Sequence, residues 1–229
     1  MKKFIFGILP FFFCTVSYAQ DCIGVNLKAG SGFEMNNYDG KGKPTGKLVY
    51  KIANVTSEAG KTVFTIDMET FSTKGKSEMK NTYKMKCDGN SMMVDANSLI
   101  SAEQMKSFEN MDMKFTFDNI EYPNNLSTGQ KLNDASVKGE GKSGPMAITF
   151  KMLIHNRTVQ GQEKLTTPAG SYNAFKITSD MTMETLMGIN IKFEINSISY
   201  RAPGVIWDVK TETYRKGKLM GYSELAKVY

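Results

Sequence analysis

Histidine and cysteine are scarce in this sequence. Its 229 residues include one His, at position 155, and three Cys. A catalytic zinc site commonly needs several His or Glu ligands, and a Ser-His or Cys-His nucleophile would have to use His155. His155 falls on the polar side of its predicted strand, and no nucleophile-elbow pattern accompanies it. The sequence therefore gives no support to either class of site.

Other catalytic patterns are incomplete. Carboxylates such as Asp67 and Glu69 are dispersed on polar strand positions, whereas a glycosidase needs a pair facing each other across a cleft. Gly139-Glu140-Gly141-Lys142-Ser143 is similar to the end of a phosphate-binding loop, but position 136 is not glycine and Pro145 follows where a helix should begin. We expect no catalytic residues, no cofactor and no enzymatic activity. A hydrolase with an unrecognised site is an alternative.

Apolar runs long enough to span a bilayer are absent after the first 19 residues. The chain starts with a basic pair, continues with an apolar stretch over 4–16 and reaches a small-x-small cleavage site at Ser17-Tyr18-Ala19. This pattern is typical of a signal peptide cleaved after Ala19, and not of a membrane anchor. The acidic Asp21 before Cys22 argues against a lipidation signal. We therefore expect an exported, periplasmic protein of a bacterial cell envelope.

The sequence has no block of charge of one sign. Lys and Arg number 29 against 23 Asp and Glu, which gives a formal net charge of +6 that is spread along the chain. A nucleic-acid partner is therefore not expected.

The length after residue 19 suits an all-β domain with a substantial core, and we expect a single β domain over 20–229.

Cys22 and Cys87 are the cysteines that remain after the signal peptide is removed. In an oxidising compartment an even number of cysteines predicts a disulfide. A bond between them would stabilise the fold by about 4 kcal/mol in the chain-entropy model. A pair of unrelated buried thiols is the alternative.

Alternation of apolar and polar residues dominates the rest of the sequence. One polar face per strand favours antiparallel pairing, since parallel strands are usually buried on both faces. Turn signals separate the alternating runs. We predict a mostly β protein, a curved antiparallel sheet or half-barrel whose strands follow one another as a meander. The clearest apolar rows are Phe64-Ile66-Met68, Tyr83-Met85-Cys87, Met146-Ile148-Phe150-Met152-Ile154, the long row of Phe175, Ile177, Met181 and Met183, Ile189-Ile191-Phe193-Ile195 and Val205-Trp207-Val209.

Two stretches depart from the alternating pattern. Ser101-Ala102-Glu103-Gln104 has the spacing of a capping box, which predicts one short helix over about residues 99–110 that covers one side of the sheet. The stretch over 127–145 is rich in Gly, Lys, Ser and Asn and is expected to be a long surface loop. A linker between two lobes is the alternative for the second stretch.

Methionine is frequent, with 16 residues. Met92-Met93, Met111-Asp112-Met113 and Met181-Thr182-Met183 could supply the soft thioether ligands that select Cu(I). Most methionines, however, fall in phase with Phe and Ile, which indicates a core, either closely packed or open to a lipid-like ligand. The residues that we expect to line a concave, ligand-binding face are Phe150, Met152, Phe175, Met181, Met183, Phe193 and Trp207.

Several short turn-and-strand segments resemble a known group of proteins. They are Tyr38-Asp39-Gly40-Lys41-Gly42-Lys43, Thr167-Pro168-Ala169-Gly170-Ser171-Tyr172-Asn173-Ala174-Phe175-Lys176-Ile177, Ala202-Pro203-Gly204-Val205 through Glu212, and Gly221-Tyr222-Ser223-Glu224-Leu225. Together they resemble the TapB-like group of exported bacterial proteins, which is related to a larger family of unknown function. The resemblance covers most of the mature chain. It implies a curved β-sheet or half-barrel, similar in outline to periplasmic lipoprotein-carrier folds, and no catalytic residues.

The sequence as a whole favours a non-enzymatic cell-envelope protein. We expect it to bind a partner protein or an apolar, lipid-like ligand on the concave face of a curved β-sheet. Periplasmic copper(I) binding by the methionine clusters is the alternative function. No other metal site, no nucleic-acid partner and no transmembrane segment are expected.

Overall fold

The computed structural model of the protein describes residues 21–22, 24–96, 106 and 113–229. The predicted signal peptide over 1–19 lies outside these residues, as does the helix predicted over 99–110 apart from Lys106. Among the described residues, no helix has both the length and the apolar character required to cross a bilayer. The strands are β1 (Asp21–Cys22), β2 (Val25–Asn26), β3 (Gly32–Asp39), β4 (Pro44–Glu58), β5 (Lys61–Ser72), β6 (Ser77–Cys87), β7 (Ser91–Val94), β8 (Lys114–Asp118), β9 (Ile120–Pro123), β10 (Ala135–Ser143), β11 (Met146–Thr167), β12 (Gly170–Met187), β13 (Ile189–Arg201), β14 (Asp208–Arg215) and β15 (Lys218–Val228).

Strands β3 to β15 form one antiparallel sheet of 13 strands in the order β8-β10-β11-β12-β13-β14-β15-β3-β4-β5-β6-β7-β9. The outer strands of this order, β8 and β9, are separated in the chain by Asn119 alone. β8 pairs with β10 and β9 pairs with β7, so the segment 114–123 joins the two edges and the sheet is nearly closed. The predicted mostly β, curved antiparallel sheet is thus confirmed.

Bulges bend the longest strand of the sheet. β11 has 22 residues, and its register with β12 shifts between His155 and Thr158 and again between Val159 and Gly161. Asn156, in the first bulge, has a φ of 55°, a left-handed conformation that Asn adopts more readily than most residues. Such irregularities increase the local twist and let a long strand follow a curved sheet.

The main core lies between β3–β7 on one side and the ends of β13–β15 on the other. Phe33 stacks on Tyr50 with their ring centroids 4.5 Å apart, and the Trp207 ring lies 5.2 Å from that of Tyr50. The largest fully buried side chains of the described residues include Phe64, Met35, Ile66, Met85 and Met92. The apolar rows predicted for β5 and β6 therefore face this core.

A disulfide joins Cys22 to Cys87, as the sequence predicts, with the two Cα atoms 5.7 Å apart. β1 and β2 form a separate two-stranded sheet, and Cys22 lies at the end of β1. Both cysteines are buried in the main core. The bond therefore ties this small hairpin to β6 of the large sheet.

The surface loop predicted over 127–145 is wrong in its second half. Ala135–Ser143 forms β10, which pairs with both β8 and β11. Glycine in this strand reflects close packing: a Cβ on Gly139 would lie 2.5 Å from the Phe115 ring and 2.7 Å from Cε of Met113. The position suits glycine because neighbouring side chains already fill the space above it.

The strand predicted from Val205 is also wrong at its start, because β14 begins at Asp208. Asp208 and Val209 are both buried, so burial does not alternate here. The reason is the buried Arg201, whose guanidinium pairs with the Asp208 carboxylate at 3.2 Å. This charged partner makes an inward-facing Asp tolerable.

Candidate ligand-binding face

Two of the residues predicted to line a concave face lie in packed regions. Trp207 contacts the main core, with its ring centroid 5.2 Å from that of Tyr50 and 5.7 Å from that of Tyr83. Phe175 packs against a smaller buried cluster formed by Leu132, Val159 and Ile177. These two positions therefore contribute to packing, and the ring of Trp207 fills one end of the interior.

The other five predicted residues share one side of β11, β12 and β13. Met183 of β12 lies directly opposite Met152 of β11 and Phe193 of β13. Met181 is two residues further along β12, and Phe150 is two residues from Met152, so both point to the same side. The structure thus brings these side chains together, and all of them are half-buried.

Ile154 and Ile195 extend the same side, because each lies opposite Met181. No charged residue belongs to this set. The opposite side of the same strands is polar, with Glu184 and Glu194 bound to Lys192. We call the set the half-buried apolar face; it consists of Phe150, Met152, Ile154, Met181, Met183, Phe193 and Ile195.

One flank of this face is packed. Phe150 and Met152 lie against a small cluster built on Val137 and Ala96. Phe115 and Phe117 of β8 belong to the same cluster, with their ring centroids 6.1 Å apart. On the other flank the Arg215 guanidinium lies 4.3 Å from the centre of the Phe193 ring. The face is therefore supported at its sides and remains accessible along β12.

The exposed continuation of these strands forms an apolar tip. β12 and β13 turn at Gly188, and Sδ of Met146 lies 3.5 Å from the position that a Cβ on Gly188 would take. The ends of two neighbouring hairpins therefore meet. The tip consists of residues whose exposed fractions are unusually high for large apolar side chains: Met146 46%, Leu186 41%, Met187 50%, Ile189 75% and Ile191 66%.

The tip projects beyond the neighbouring hairpin. β13 pairs with β14 only between Asn196 and Arg201, whereas it pairs with β12 along its whole length. Residues 189–195 of β13 therefore extend about 20 Å beyond Asn196, the last residue that pairs with β14, because a strand rises by roughly 3.3 Å per residue. Within the described part of the chain, this part of β13 has no paired strand on its β14 side.

A buried polar cluster that no sequence pattern predicted lies in the core. Arg201 donates to the Ile206 carbonyl at 2.9 Å, and its guanidinium lies 4.0 Å from the centre of the Tyr122 ring. The Arg157 guanidinium lies 4.7 Å from the same ring. Burial raises the pKa of the Asp208 carboxyl, and the neighbouring Arg201 charge opposes that rise. Arg201 continues the inward row of β13, and a charge at such a position is the signal that could have revealed the cluster.

Both guanidinium groups of this cluster donate hydrogen bonds to acceptors within the protein. Arg157 donates to the carbonyl oxygens of Asn133 at 2.6 Å and Glu121 at 3.1 Å. Arg201 also contacts Sδ of the fully buried Met92 at 3.8 Å. These hydrogen bonds stabilise the interior, and the Met92 sulfur is occupied by its contact with Arg201.

The remaining candidate residues do not converge on a catalytic or metal centre. His155 lies on the polar side of β11 with Nε2 3.3 Å from Oγ1 of Thr182. The carboxylate of Asp180 accepts hydrogen bonds from Asn156 and Asn196, and these hold its pKa below the usual range. Among the described residues, no group of three or more His, Cys, Asp and Glu side chains could hold a metal ion. Met111 lies outside the described residues.

Comparison with solved structures identifies proteins with the same fold. One is a candidate lipoprotein from Parabacteroides distasonis ATCC 8503, which is 23% identical and has a TM-score of 0.68, over 92% of this chain and 100% of that one. Another is a candidate exported protein with a YmcC-like fold from Bacteroides fragilis NCTC 9343, 20% identical with a TM-score of 0.64, over 91% of this chain and 100% of that one. At these identities the likeness establishes the fold alone.

Comparison with curated proteins finds no match. Comparison with protein families gives a match that covers most of the chain. The model of the family described as DUF3108-like matches residues 28–225, which run from the segment before β3 into β15. The chain belongs to the DUF3108-like family.

Proposed function

We propose that this protein is a non-enzymatic protein of the bacterial cell envelope that binds an apolar, lipid-like ligand on the half-buried apolar face. The observation that carries the proposal is the face itself: seven Phe, Met and Ile side chains on three adjacent strands, half-buried and without a charged residue among them. Large accessible apolar surfaces on folded proteins commonly mark ligand-binding or interaction sites.

The side-chain chemistry suits a flexible ligand. Met152, Met181 and Met183 lie at the centre of the face, and methionine side chains adapt their shape because they are unbranched and polarizable. Phe150 and Phe193 lie on the strands to either side. Such a lining would accept an acyl chain through apolar contact and would not require a fixed polar group.

Export to the envelope is the second part of the proposal. The basic, apolar and small-residue pattern over 1–19 supports it, and so does the disulfide between Cys22 and Cys87. The structural neighbours are themselves candidate exported and lipoprotein molecules. Periplasmic location and membership of the narrower TapB-like group stay predictions that cell fractionation and closer relatives would test.

The third part of the proposal is that the protein is not an enzyme. Among the described residues, His155 lies within hydrogen-bond distance of the Thr182 hydroxyl, and both residues are half-buried on the polar side of the sheet. The Asp180 carboxylate lies directly opposite His155, but its hydrogen bonds come from Asn156 and Asn196. A His base that has no hydrogen bond to an orienting carboxylate and no enclosed site has little catalytic power.

The ligand proposal is tested by extracting the purified protein with organic solvent and identifying bound lipid by mass spectrometry. In parallel, binding of the fluorescent fatty acid cis-parinaric acid is measured for the wild type and for Met183→Glu. We expect the buried charge to weaken binding by at least about tenfold, because the carboxylate must lose its water. Circular dichroism shows whether the variant keeps its fold.

Met79→Glu is the matched control, since Met79 is an exposed methionine on β6, away from the face. It should bind the fatty acid as the wild type does. If no lipid co-purifies and the two variants bind alike, the half-buried apolar face is not a ligand site. Capture of a protein partner that Met183→Glu abolishes would instead assign the face to protein recognition.

Copper(I) binding is a second candidate, and one observation favours it. Met152 lies directly opposite Met183, and Met181 is two residues along the same strand, so three thioethers share one surface. A Cu(I) titration in competition with a chelator tests this function. Met183→Leu should lower Cu(I) affinity while preserving fatty-acid binding, because it removes the sulfur and keeps the apolar volume; very weak uptake by the wild type would end this alternative.

A further inference from the structure

The apolar tip differs from the half-buried apolar face in its exposure. Ile189 is 75% exposed and Ile191 is 66% exposed, whereas the residues of the face are half-buried. Leu186 points to the opposite side of β12 from Met187, because neighbouring strand residues alternate. Met146, Met187, Ile189 and Ile191 therefore share one side of the projecting end, and Leu186 lies among polar residues on the other.

A cationic hollow lies next to the tip. It has a volume of about 570 Å³ and is lined by Lys114, Lys138 and Lys142 with Glu140 as the acidic member. Ala147 and Ile148, which follow the tip residue Met146, form part of the same lining. The hollow thus places three exposed lysines and one glutamate close to Met146, at the end of the β10–β11 hairpin and on the polar side of these strands.

We propose that the apolar tip and the adjacent lysine hollow form a docking surface for an anionic phospholipid bilayer. Ile189, Ile191 and Met187 would enter the boundary between headgroups and acyl chains, while the lysines contact lipid phosphates. Apolar side chains flanked by Lys are the combination that binds anionic membrane surfaces. The projection of the hairpin past β14 lets the tip reach a bilayer without obstruction from the rest of the sheet. This role does not depend on a ligand in the half-buried apolar face.

The test is co-sedimentation of the mature protein with vesicles. Vesicles of phosphatidylethanolamine with phosphatidylglycerol are compared with vesicles of phosphatidylcholine. We expect the wild type to prefer the anionic vesicles by at least about tenfold. Ile189→Asp/Ile191→Asp should abolish binding to both vesicle types. Lys138→Gln/Lys142→Gln should remove the preference for the anionic vesicles.

Met220→Asp is the matched control. Met220 is 51% exposed and lies on β15, near the β14–β15 turn that the tip projects beyond. It should leave vesicle binding unchanged. Binding of Ile189→Asp/Ile191→Asp at the wild-type level overturns the proposal, and so does a wild type that ignores lipid charge. Displacement by inorganic phosphate at constant ionic strength would indicate a free-anion site instead.

Fatty-acid binding measured on the same variants separates this inference from the proposed function. Ile189→Asp/Ile191→Asp should bind cis-parinaric acid like the wild type, because these residues lie outside the half-buried apolar face. A wild type that binds the fatty acid but no vesicles overturns the docking surface alone. A dimer that the tip variant dissociates, without vesicle binding, would identify a second copy of the chain as the true partner and would also overturn it.

Discussion

Arg201 and Asp208 place opposite charges in the interior, where water cannot solvate them. Their side chains are only 7% and 12% exposed, and Nη1 of Arg201 lies 3.2 Å from Oδ1 of Asp208. Removing charges from water is costly, so a buried pair of this kind adds little net stability. Breaking the pair is a different matter, because the remaining charge would then be buried without a partner.

Arg201→Met should destabilise the protein by about 3–5 kcal/mol, because it leaves the Asp208 carboxylate buried without its counter-ion. Urea unfolding measures the change. Arg201→Met/Asp208→Leu should recover a large part of the loss, since the unpaired charge is then absent. Lys192→Met, which breaks an exposed pair with Glu194, is the control and should change stability by less than about 1 kcal/mol. Equal losses in the single and double variants would contradict this account.

The same variant has a pH signature. Burial raises the pKa of Asp208 in the folded protein, so this carboxyl contributes stability at low pH that is lost as pH rises through its folded pKa. Arg201→Met removes the opposing positive charge and raises that pKa further. The deficit of the variant relative to the wild type should therefore be smaller at about pH 4 than at neutral pH. A deficit that is the same at both pH values would argue against an unpaired Asp208.

Tyr83 presents the opposite case of a buried polar group without a partner. Its hydroxyl finds no hydrogen-bond acceptor or donor in the described part of the chain, and burial raises the pKa of Tyr83 well above its usual value. Tyr83→Phe should therefore leave stability unchanged or raise it by up to about 1 kcal/mol. Tyr214→Phe is the control and should destabilise, because the Tyr214 hydroxyl donates to Glu212 at 2.8 Å. Thermal unfolding compares them; a loss in Tyr83→Phe would reveal an ordered water.

At the scale of single elements, the disulfide holds β1 and β2 against the sheet. β1 and β2 have two residues each and pair only with each other, so backbone pairing alone gives them little stability. The cross-link between Cys22 and Cys87 spans a sequence separation of 65 residues. Loss of the disulfide should therefore destabilise the whole protein, and not this hairpin alone, because it raises the conformational entropy of the unfolded state.

Cys22→Ala/Cys87→Ala should lower the free energy of unfolding by about 4 kcal/mol, the loop entropy expected for a closure of this length. Guanidinium unfolding with and without reductant provides the measurement. Reductant should destabilise the wild type by a similar amount and leave the double variant unaffected. A wild type that is insensitive to reductant under unfolding conditions would mean that the bond does not form in solution.

The sequence predicts the strands where one side meets the core and the other meets water. Phe64, Ile66, Tyr83 and Met85 alternate regularly, and each is buried as predicted. The prediction fails where a side chain from another strand packs directly on the backbone, or where a buried charged residue interrupts the alternation of apolar and polar residues. Gly139 looks like a turn residue in the sequence, but it lies within a strand. Glycine is needed there because Phe115 fills the space that a side chain would take, and no local sequence pattern encodes this long-range contact.

The candidate site was partly predictable for the same reason. Alternation placed Met181, Met183 and Phe193 on one side, and pairing with β11 then brings Met152 opposite Met183. Trp207 shared the pattern but lies outside the regular strands, and its ring packs on Tyr50 instead. Local periodicity identifies a side of a strand, whereas the position along the curved sheet decides whether that side is filled or accessible.

At the scale of the whole molecule, packing is concentrated away from the apolar tip. Phe64, Ile66 and Met85, on β5 and β6, are completely buried, whereas Ile189 and Ile191 are mostly exposed. A single sheet thus combines a packed region that supplies stability with a projecting hairpin pair that contributes little buried area. Regions with few buried contacts open at lower free energy than the core.

Hydrogen exchange of backbone amides tests this division. Amides of β5 and β6 should exchange only when the whole protein unfolds, whereas those over 186–195 should exchange at least about a hundredfold faster through local opening. β13 lacks a β14 partner before Asn196, so local opening of this segment breaks only its pairing with β12. Binding of a fatty acid should slow exchange around Met181 and Met183 and leave β5 unchanged. Uniform protection along β12 and β13 without ligand would mean that the projecting hairpin is as stable as the core. That result would contradict the division of the sheet into a packed region and a projecting hairpin that opens locally.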